Sequence, residues 1–518
     1  MTGPSAAVGP GRPAPTATPT GTTPADGRRR LARRPVLVVA AAFLALELVA
    51  APRYGLHRDE LYFLACARHL SWGYVDQPPL VPFVAWAVNG LIGPFAWALR
   101  LLPALAGAAS VVLCALMARE LGAGRKGQVL AAVAAATSAE FLAAFHLLST
   151  TAFDCFFWAL ITWITLRLVG TGDRRWLLVL GAVTGVALLD KWNAGFLVVA
   201  LVIGIVSGPH RRLLRSGYAW SGAAVCLLLV APDLAWNVGH QWAQVSMLRS
   251  LHAENSTLGA SIVFAPAQLI VLGPVLSVLG ITGLVHLWRD AGRRWLAVSY
   301  LVLLGWFVAS GAKPYYLAGA YFALFAAGGA ALEQRWSSRG SPGHPGRWAA
   351  AMVAWCVLVV ALALPLLPSS TLPTGSGEGQ VNEDLSATVG WPAYVDQVAS
   401  VADTLPPAQR ARLVLLTGDY GAAGAIDLYG PGLHLPPARS GHNTYWWWGP
   451  AGMPDDSVTI ATNVPRSTLL RIFRTVRSAG TVRTPGNVWT EERGAPIYVG
   501  TDQFARWSAV WPSLRHYG

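Results

Sequence analysis

The side chains able to do chemistry in this chain are acids and bases set at the edges of long apolar runs. The first group is His57-Arg58-Asp59-Glu60-Leu61-Tyr62, soon after the apolar stretch 35–51. A carboxylate at a membrane boundary can act as general base on an acceptor hydroxyl, and neighbouring arginines keep it ionised. Asp59 and Glu60 are therefore the candidate catalytic pair. A charged pair after a first span is also what a plain solvated loop looks like, so the other ionisable residues decide its weight.

Asp154 falls about one turn into another apolar run, and Lys191 and Lys313 fall at the ends of two more. A charge inside a span costs about 2.5 to 3.5 kcal/mol on insertion scales, so such residues pair or line a polar cavity. Two lysines and Arg58 at headgroup depth suit a phosphate or diphosphate. Taken singly, each lysine fits ordinary snorkelling equally well. Glu47, Glu140, His146 and Asp233, also near run ends, are expected in structural or loop roles. Late in the chain, Ser440-Gly441-His442-Asn443-Thr444-Tyr445-Trp446-Trp447-Trp448 offers His442 and Asn443 as acceptor contacts or as turn stabilisers. Trp446 and Trp447 could stack on sugar faces, but aromatic residues also concentrate at the membrane interface, which is the favoured reading.

The elements that must position these residues follow from composition. The 518 residues are 54% hydrophobic and 13% charged, whereas a soluble domain carries about a quarter charged residues. The bilayer is the main solvent. The net charge of +13 sits in short arginine clusters between apolar segments, which reads as topology rather than nucleic-acid binding. With the arginine-rich start cytoplasmic, about eleven spans thread between 35 and 367, and each return meets a basic cluster. Pro266 and Pro274 break the pattern of the eighth. Arg28 to Arg34 before the first run resembles a signal-peptide start, but the run is longer than a typical h-region, so a retained span is expected.

This threading puts Asp59, Asp154, Lys191 and Lys313 on one outer face. Residues 1–34 read as a disordered cytoplasmic tail, 35–368 as the membrane domain with an outer catalytic loop at 53–97, and 369–518 as a small extracytoplasmic α/β domain. In that last part, 413–416, 457–462 and 496–499 read as strands, 391–403 and 466–478 as helices, and the glycines near Asp419 as tight turns. Neither His-x-x-x-His nor paired-cysteine spacing supports a transition-metal site, and no Walker-type loop is present. The acidic pair leaves room for a divalent cation.

The chain resembles the GT-C glycosyltransferases with a protein-mannosyltransferase-like domain, which include the lipid A aminoarabinose transferases. The resemblance covers about 54 to 330. It is carried by Asp59-Glu60 with Tyr62, by Tyr74 to Leu80, by Arg100-Leu101-Leu102-Pro103, by Asp154, by Asp190-Lys191 and by Lys313-Pro314-Tyr315-Tyr316. The late series around Gly418 to Gly421 and Ser440 to Pro450 resembles the C-terminal domain of a bacterial subset, in which a glutamate usually stands where this chain has Ala422.

The resemblance implies GT-C architecture and inverting transfer of a sugar from a polyprenyl-phosphate donor to a cell-envelope acceptor (lipid, polysaccharide or protein). The setting implied is the outer face of a bacterial-type plasma membrane. Asp59 is the implied base; Arg58, Tyr62, Asp76, Gln77, Asp154, Lys191, Lys313, Tyr315 and Tyr316 are the implied donor or substrate contacts. In the aminoarabinose type a lysine often precedes the Pro-Pro pair, and Gln77 cannot supply that charge. The alternatives are a flippase for a lipid-linked glycan and an inactive, glycan-binding member.

Overall fold

The computed structural model describes residues 2–3, 30–255, 258–338, 344–375 and 383–517. The expected N-terminal tail therefore lies almost wholly outside the described residues. Between Arg33 and Ala363 the described residues are mainly helical, with every expected span falling on a helix or a bent helix pair.

Six helices are long and apolar enough to cross a membrane, at 96–120, 150–171, 217–239, 261–289, 314–338 and 345–363. The pair Arg125–Ala136 and Ala139–His146, bent by 58°, adds a seventh if counted as one span. Leu80–Leu91, Trp176–Leu188, Asn193–Ser207 and Arg294–Ser310 are apolar but shorter. The protein is thus a multi-pass membrane protein of mainly helical structure.

Local signals explain several boundaries. The helix Thr150–Thr171, which carries Asp154, starts where Ser149 accepts from the Ala152 amide and stops at Gly172 in the left-handed region. The expected break in the eighth span is a kink at Gly273, with φ of 71°, immediately before Pro274. The expected outer loop is largely helical: Arg58–Arg68 and Leu80–Leu91 occupy it, joined by a tight segment that holds Asp76 and Gln77.

The C-terminal part is an α/β unit. Its strands are β1 (Leu413–Thr417), β2 (Ala438–Ser440), β3 (Val458–Thr462), β4 (Phe473–Thr481) and β5 (Pro496–Gln503), in the order β2-β1-β3-β5-β4. The β1 pairings are parallel, and β5 runs antiparallel to both β3 and β4. Two expectations fail here. The segment 466–478 forms a short helix, Arg466–Leu469, and then β4. Phe473 and Val476 are buried three residues apart, which mimics a helical stripe, but their backbone groups pair with β5. Of the glycines expected in turns, Gly421 instead lies inside the helix Tyr420–Tyr429, as does Gly424.

That helix lies directly on the Asp59 helix, Arg58–Arg68. A Cβ on Gly421 would stand 2.8 Å from the Arg58 Cβ, and one on Gly424 would stand 2.8 Å from the Leu61 backbone. Glycine at these two sites is what lets the helices approach so closely.

Candidate active site

The Asp59 helix begins with a capping box built from the residues flanking Asp59. His57 Nδ1 accepts from the Asp59 amide at 3.1 Å, and Glu60 Oε2 accepts from the His57 amide at 2.8 Å. Because Nδ1 accepts, the imidazole proton sits on Nε2, which faces Asp384 Oδ1 at 3.6 Å. Burial opposes a charge on His57, but the Asp59 and Asp384 carboxylates outweigh it and hold the imidazole pKa above its usual value.

The acidic pair separates sharply. Glu60 is fully buried, and both its oxygens accept from Arg100, Nε at 3.0 Å and Nη2 at 2.8 Å. The Leu148 amide at 3.1 Å and the His57 amide take its remaining acceptor positions. Arg100 also donates to the carbonyls of Ala51 and Gly55, so the pair fixes the turn leading into the helix. Glu60 therefore has no lone pair left for a substrate proton or a cation, and the sequence expectation for it is corrected to a structural one.

Asp59 is the open member, with its side chain 36% exposed. Its Oδ1 accepts from the Tyr420 hydroxyl at 2.8 Å and lies 3.8 Å from Arg58 Nε. Arg58 in turn bonds Glu491 and lies over the Tyr420 ring at 5.8 Å. Burial works against a charge on Arg58, yet Tyr420, Asp59 and Glu491 raise its pKa further. Beside this group lies a cavity of about 40 Å³ bordered by His57, Arg58, Asp384, Trp489 and Glu491. Asp384 itself is kept below the usual carboxylate range: burial pushes it up, and His57, Arg58 and Lys313 outweigh burial. Lys313 thus belongs to the same neighbourhood.

Lys313 caps the short 3-10 segment Pro314–Ala320, whose tyrosines lead to a second group. Lys191 Nζ lies 4.8 Å from the Tyr316 ring and 5.5 Å from the Tyr315 ring, and 3.4 Å from Thr151 Oγ1. Asn193 Nδ2 donates to Asp154 Oδ2 at 2.7 Å and to the Tyr316 carbonyl at 3.3 Å. The buried Asp154 Oδ1 has no hydrogen-bond partner among the described residues. The Leu80 amide donates to the Leu189 carbonyl, which sets the Gln77-Pro78-Pro79 turn beside the Lys191 turn. Gln77 is buried and its Nε2 has no partner among the described residues.

Tyr62 and Asp76 join the helical part to the α/β unit. The Tyr62 hydroxyl lies 2.8 Å from Asp76 Oδ1 and 2.7 Å from Thr444 Oγ1, and Thr444 Oγ1 accepts from the Val75 amide. Burial pushes Asp76 up to about 7, against the pull of the Tyr62 hydrogen bond.

The late aromatic residues make protein contacts. Trp446 and Trp511 exchange indole-to-carbonyl bonds at 2.9 Å, and Arg515 lies over Trp446 and Trp447. Trp447 meets the His240 ring, so this run packs both the unit's own core and its seam with the helical part. Asn443 is buried and left-handed, with its amide bonded to the His516 carbonyl. His442 packs between Tyr420 and His516, which brings it one ring away from Asp59. Structural roles for Glu47, paired with His146 at 3.2 Å, and for Asp233, bonded by Trp192 and Gln244, agree with the sequence reading. Tyr420, Asp384, Arg100 and Thr444 were not expected at the site. Arg100, Tyr420 and Thr444 lay in sequence motifs, Arg100-Leu101-Leu102-Pro103 and the late series around Gly418 to Gly421 and Ser440 to Pro450, whereas Asp384 lay in none. Among the described residues, no group of three or more His, Cys, Asp or Glu side chains is arranged to hold a metal ion.

Residues 76–236 match the family model described as dolichyl-phosphate-mannose-protein mannosyltransferase. No curated protein matches the chain in sequence. Among solved structures, ArnT from Cupriavidus metallidurans in the apo state is 16% identical, with a TM-score of 0.58 over 90% of this chain and 97% of that one. The same protein bound to undecaprenyl phosphate gives 0.56 at the same identity and coverage. The arabinofuranosyltransferase AftD from Mycobacteria is 17% identical, with a TM-score of 0.51 over 92% of this chain and 40% of that one. This chain is thus a polytopic membrane protein that shares its fold with ArnT along most of its length and carries a segment, residues 76–236, similar to the dolichyl-phosphate-mannose-protein mannosyltransferases.

Proposed function

We propose that the protein is a membrane glycosyltransferase that moves a sugar from a polyprenyl-phosphate donor to a cell-envelope acceptor, with inversion, at the outer face of a bacterial-type plasma membrane. The observation that carries this reading is the segment Lys313–Tyr316, which spans from the Asp59 and Asp384 group to the Lys191 and Asp154 group. A candidate base and a set of cations thereby face one region at the end of the helical body. The shared fold with an ArnT structure that holds undecaprenyl phosphate supports the same donor class.

In this reading Asp59 takes the proton of an acceptor hydroxyl as that oxygen attacks the anomeric carbon. The bond from that carbon to the phosphate oxygen breaks, and the polyprenyl phosphate leaves with one more negative charge. Lys191 and Lys313 meet that charge as preorganised cations, which is where electrostatic stabilisation counts most. Gln77, a neutral donor, hydrogen-bonds a phosphate oxygen without adding charge. Glu60 is assigned to holding the helix. Eleven spans, a cytoplasmic N-terminus and an extracytoplasmic α/β unit fit this orientation and the positive-inside pattern.

Proteoliposomes loaded with radiolabelled polyprenyl-phosphate sugars and envelope extract provide the test. Label appearing on an acceptor, with free polyprenyl phosphate released, supports transfer. Intact donor crossing the bilayer without consumption would instead identify a lipid-linked sugar transporter.

A further inference from the structure

The α/β unit meets the Asp59 carboxylate at a phenol. The Tyr420 hydroxyl, at the first turn of Tyr420–Tyr429, donates to Asp59 Oδ1 at 2.8 Å. Several devices hold that hydroxyl in place. Asp419 caps the helix by accepting from the Ala422 amide, and the Tyr420 ring lies 4.8 Å from the Tyr62 ring and 4.9 Å from that of His442. Gly421 and Gly424 bring the whole helix against Arg58–Arg68, and the Tyr62 to Thr444 hydrogen bond closes the same seam. Burial and the Asp59 charge keep the phenol protonated, so towards the Asp59 carboxylate it is the donor.

From this geometry we infer that Tyr420 is a positioning residue for the base, so that the α/β unit completes the active site instead of serving as a separate sugar-binding module. The inference rests on Asp59 being the base. By tying Oδ1, the hydroxyl fixes the plane of the carboxylate and leaves Oδ2 to take the acceptor proton, because a base works only within hydrogen-bond reach of the proton it removes. The other charged or titratable groups facing Asp59 are Arg58 and His57 on its own helix, Asp76 on the following turn and Tyr315 on the Lys313 segment, while Asp384 faces His57. Tyr420→Phe removes none of them.

The test compares Tyr420→Phe with Tyr445→Phe in the full-length protein. Tyr445 is a buried phenol of the same unit whose hydroxyl bonds Asp427 and does not reach Asp59. For Tyr420→Phe we expect kcat to fall about 10- to 100-fold, the size of one hydrogen bond to a charged group. Donor KM should stay within about twofold, so that the loss appears in kcat and not in donor binding. Tyr445→Phe should keep the wild-type kcat at temperatures where it stays folded. Wild-type kcat in Tyr420→Phe would overturn the inference, as would an equal fall in both variants with loss of donor affinity. Asp59→Asn separates the two claims: full transfer in that variant removes the base, whereas an inactive Asp59→Asn beside an unaffected Tyr420→Phe removes only the positioning role.

Discussion

Arg100 grips both oxygens of Glu60, at 3.0 and 2.8 Å, and neither side chain has any exposed surface. Breaking a buried pair by removing one partner leaves an uncompensated charge and typically costs about 3 to 5 kcal/mol. Arg100→Met should therefore lower the yield of monodisperse protein and its melting temperature in detergent. Glu60→Gln, which keeps the shape, should lie between Arg100→Met and wild type. Thermal melts followed by size-exclusion chromatography check both.

The seam between the two helices makes a steric prediction. Gly424→Leu forces side-chain atoms into the Leu61 backbone, where a Cβ alone would already stand at 2.8 Å. Overpacking of this kind costs about 1 to 3 kcal/mol. The expected result is faster proteolysis between the helical part and the α/β unit, together with loss of transfer, read by limited digestion and the transfer assay.

The burial that raises Asp76 to about 7 has a definite sign. A carboxyl whose folded pKa lies above its unfolded value contributes stability that is full below the unfolded value, about 4, and is lost as pH rises through the folded one. The wild-type melting temperature should carry such a decline between about pH 4 and pH 7. Asp76→Asn keeps an oxygen for the Tyr62 hydroxyl and has nothing to titrate. Its melting temperature should fall less across that window, and melts at closely spaced pH values measure the difference.

Lys191 sits on the Tyr316 ring and beside Thr151, where it supplies charge without a salt-bridge partner among the described residues. Lys191→Met should raise the donor KM about tenfold or more, an affinity loss of about 1.4 kcal/mol or above. A binding assay with the polyprenyl-phosphate sugar reads this without relying on turnover.

Much of this arrangement was legible in the sequence because apolar runs and basic clusters are local signals. All eleven expected spans fall on helices, and β1, β3 and β5 fall where short apolar runs stood. The sequence favoured Asp59 over Glu60 as the base but did not show why Glu60 is occupied, because that lies in Arg100, 40 residues away in the chain. The Tyr420 contact spans 361 residues. Its local trace was Asp419 followed by Tyr420-Gly421-Ala422-Ala423-Gly424, a cap and a helix face of small residues, which reads as turns when glycine is taken alone. The seam contacts of the tryptophan run were not legible for a similar reason: aromatic residues at a membrane boundary and aromatic residues sealing a domain seam have the same composition.

The most direct measurement is transfer by Asp59→Asn, made beside wild type with donor binding and melting temperature recorded on the same preparations. If Asp59 is the base, turnover falls by about 100- to 10,000-fold while donor affinity and stability stay near wild type. Turnover within a few-fold of wild type, in a variant that binds donor normally, would contradict the account.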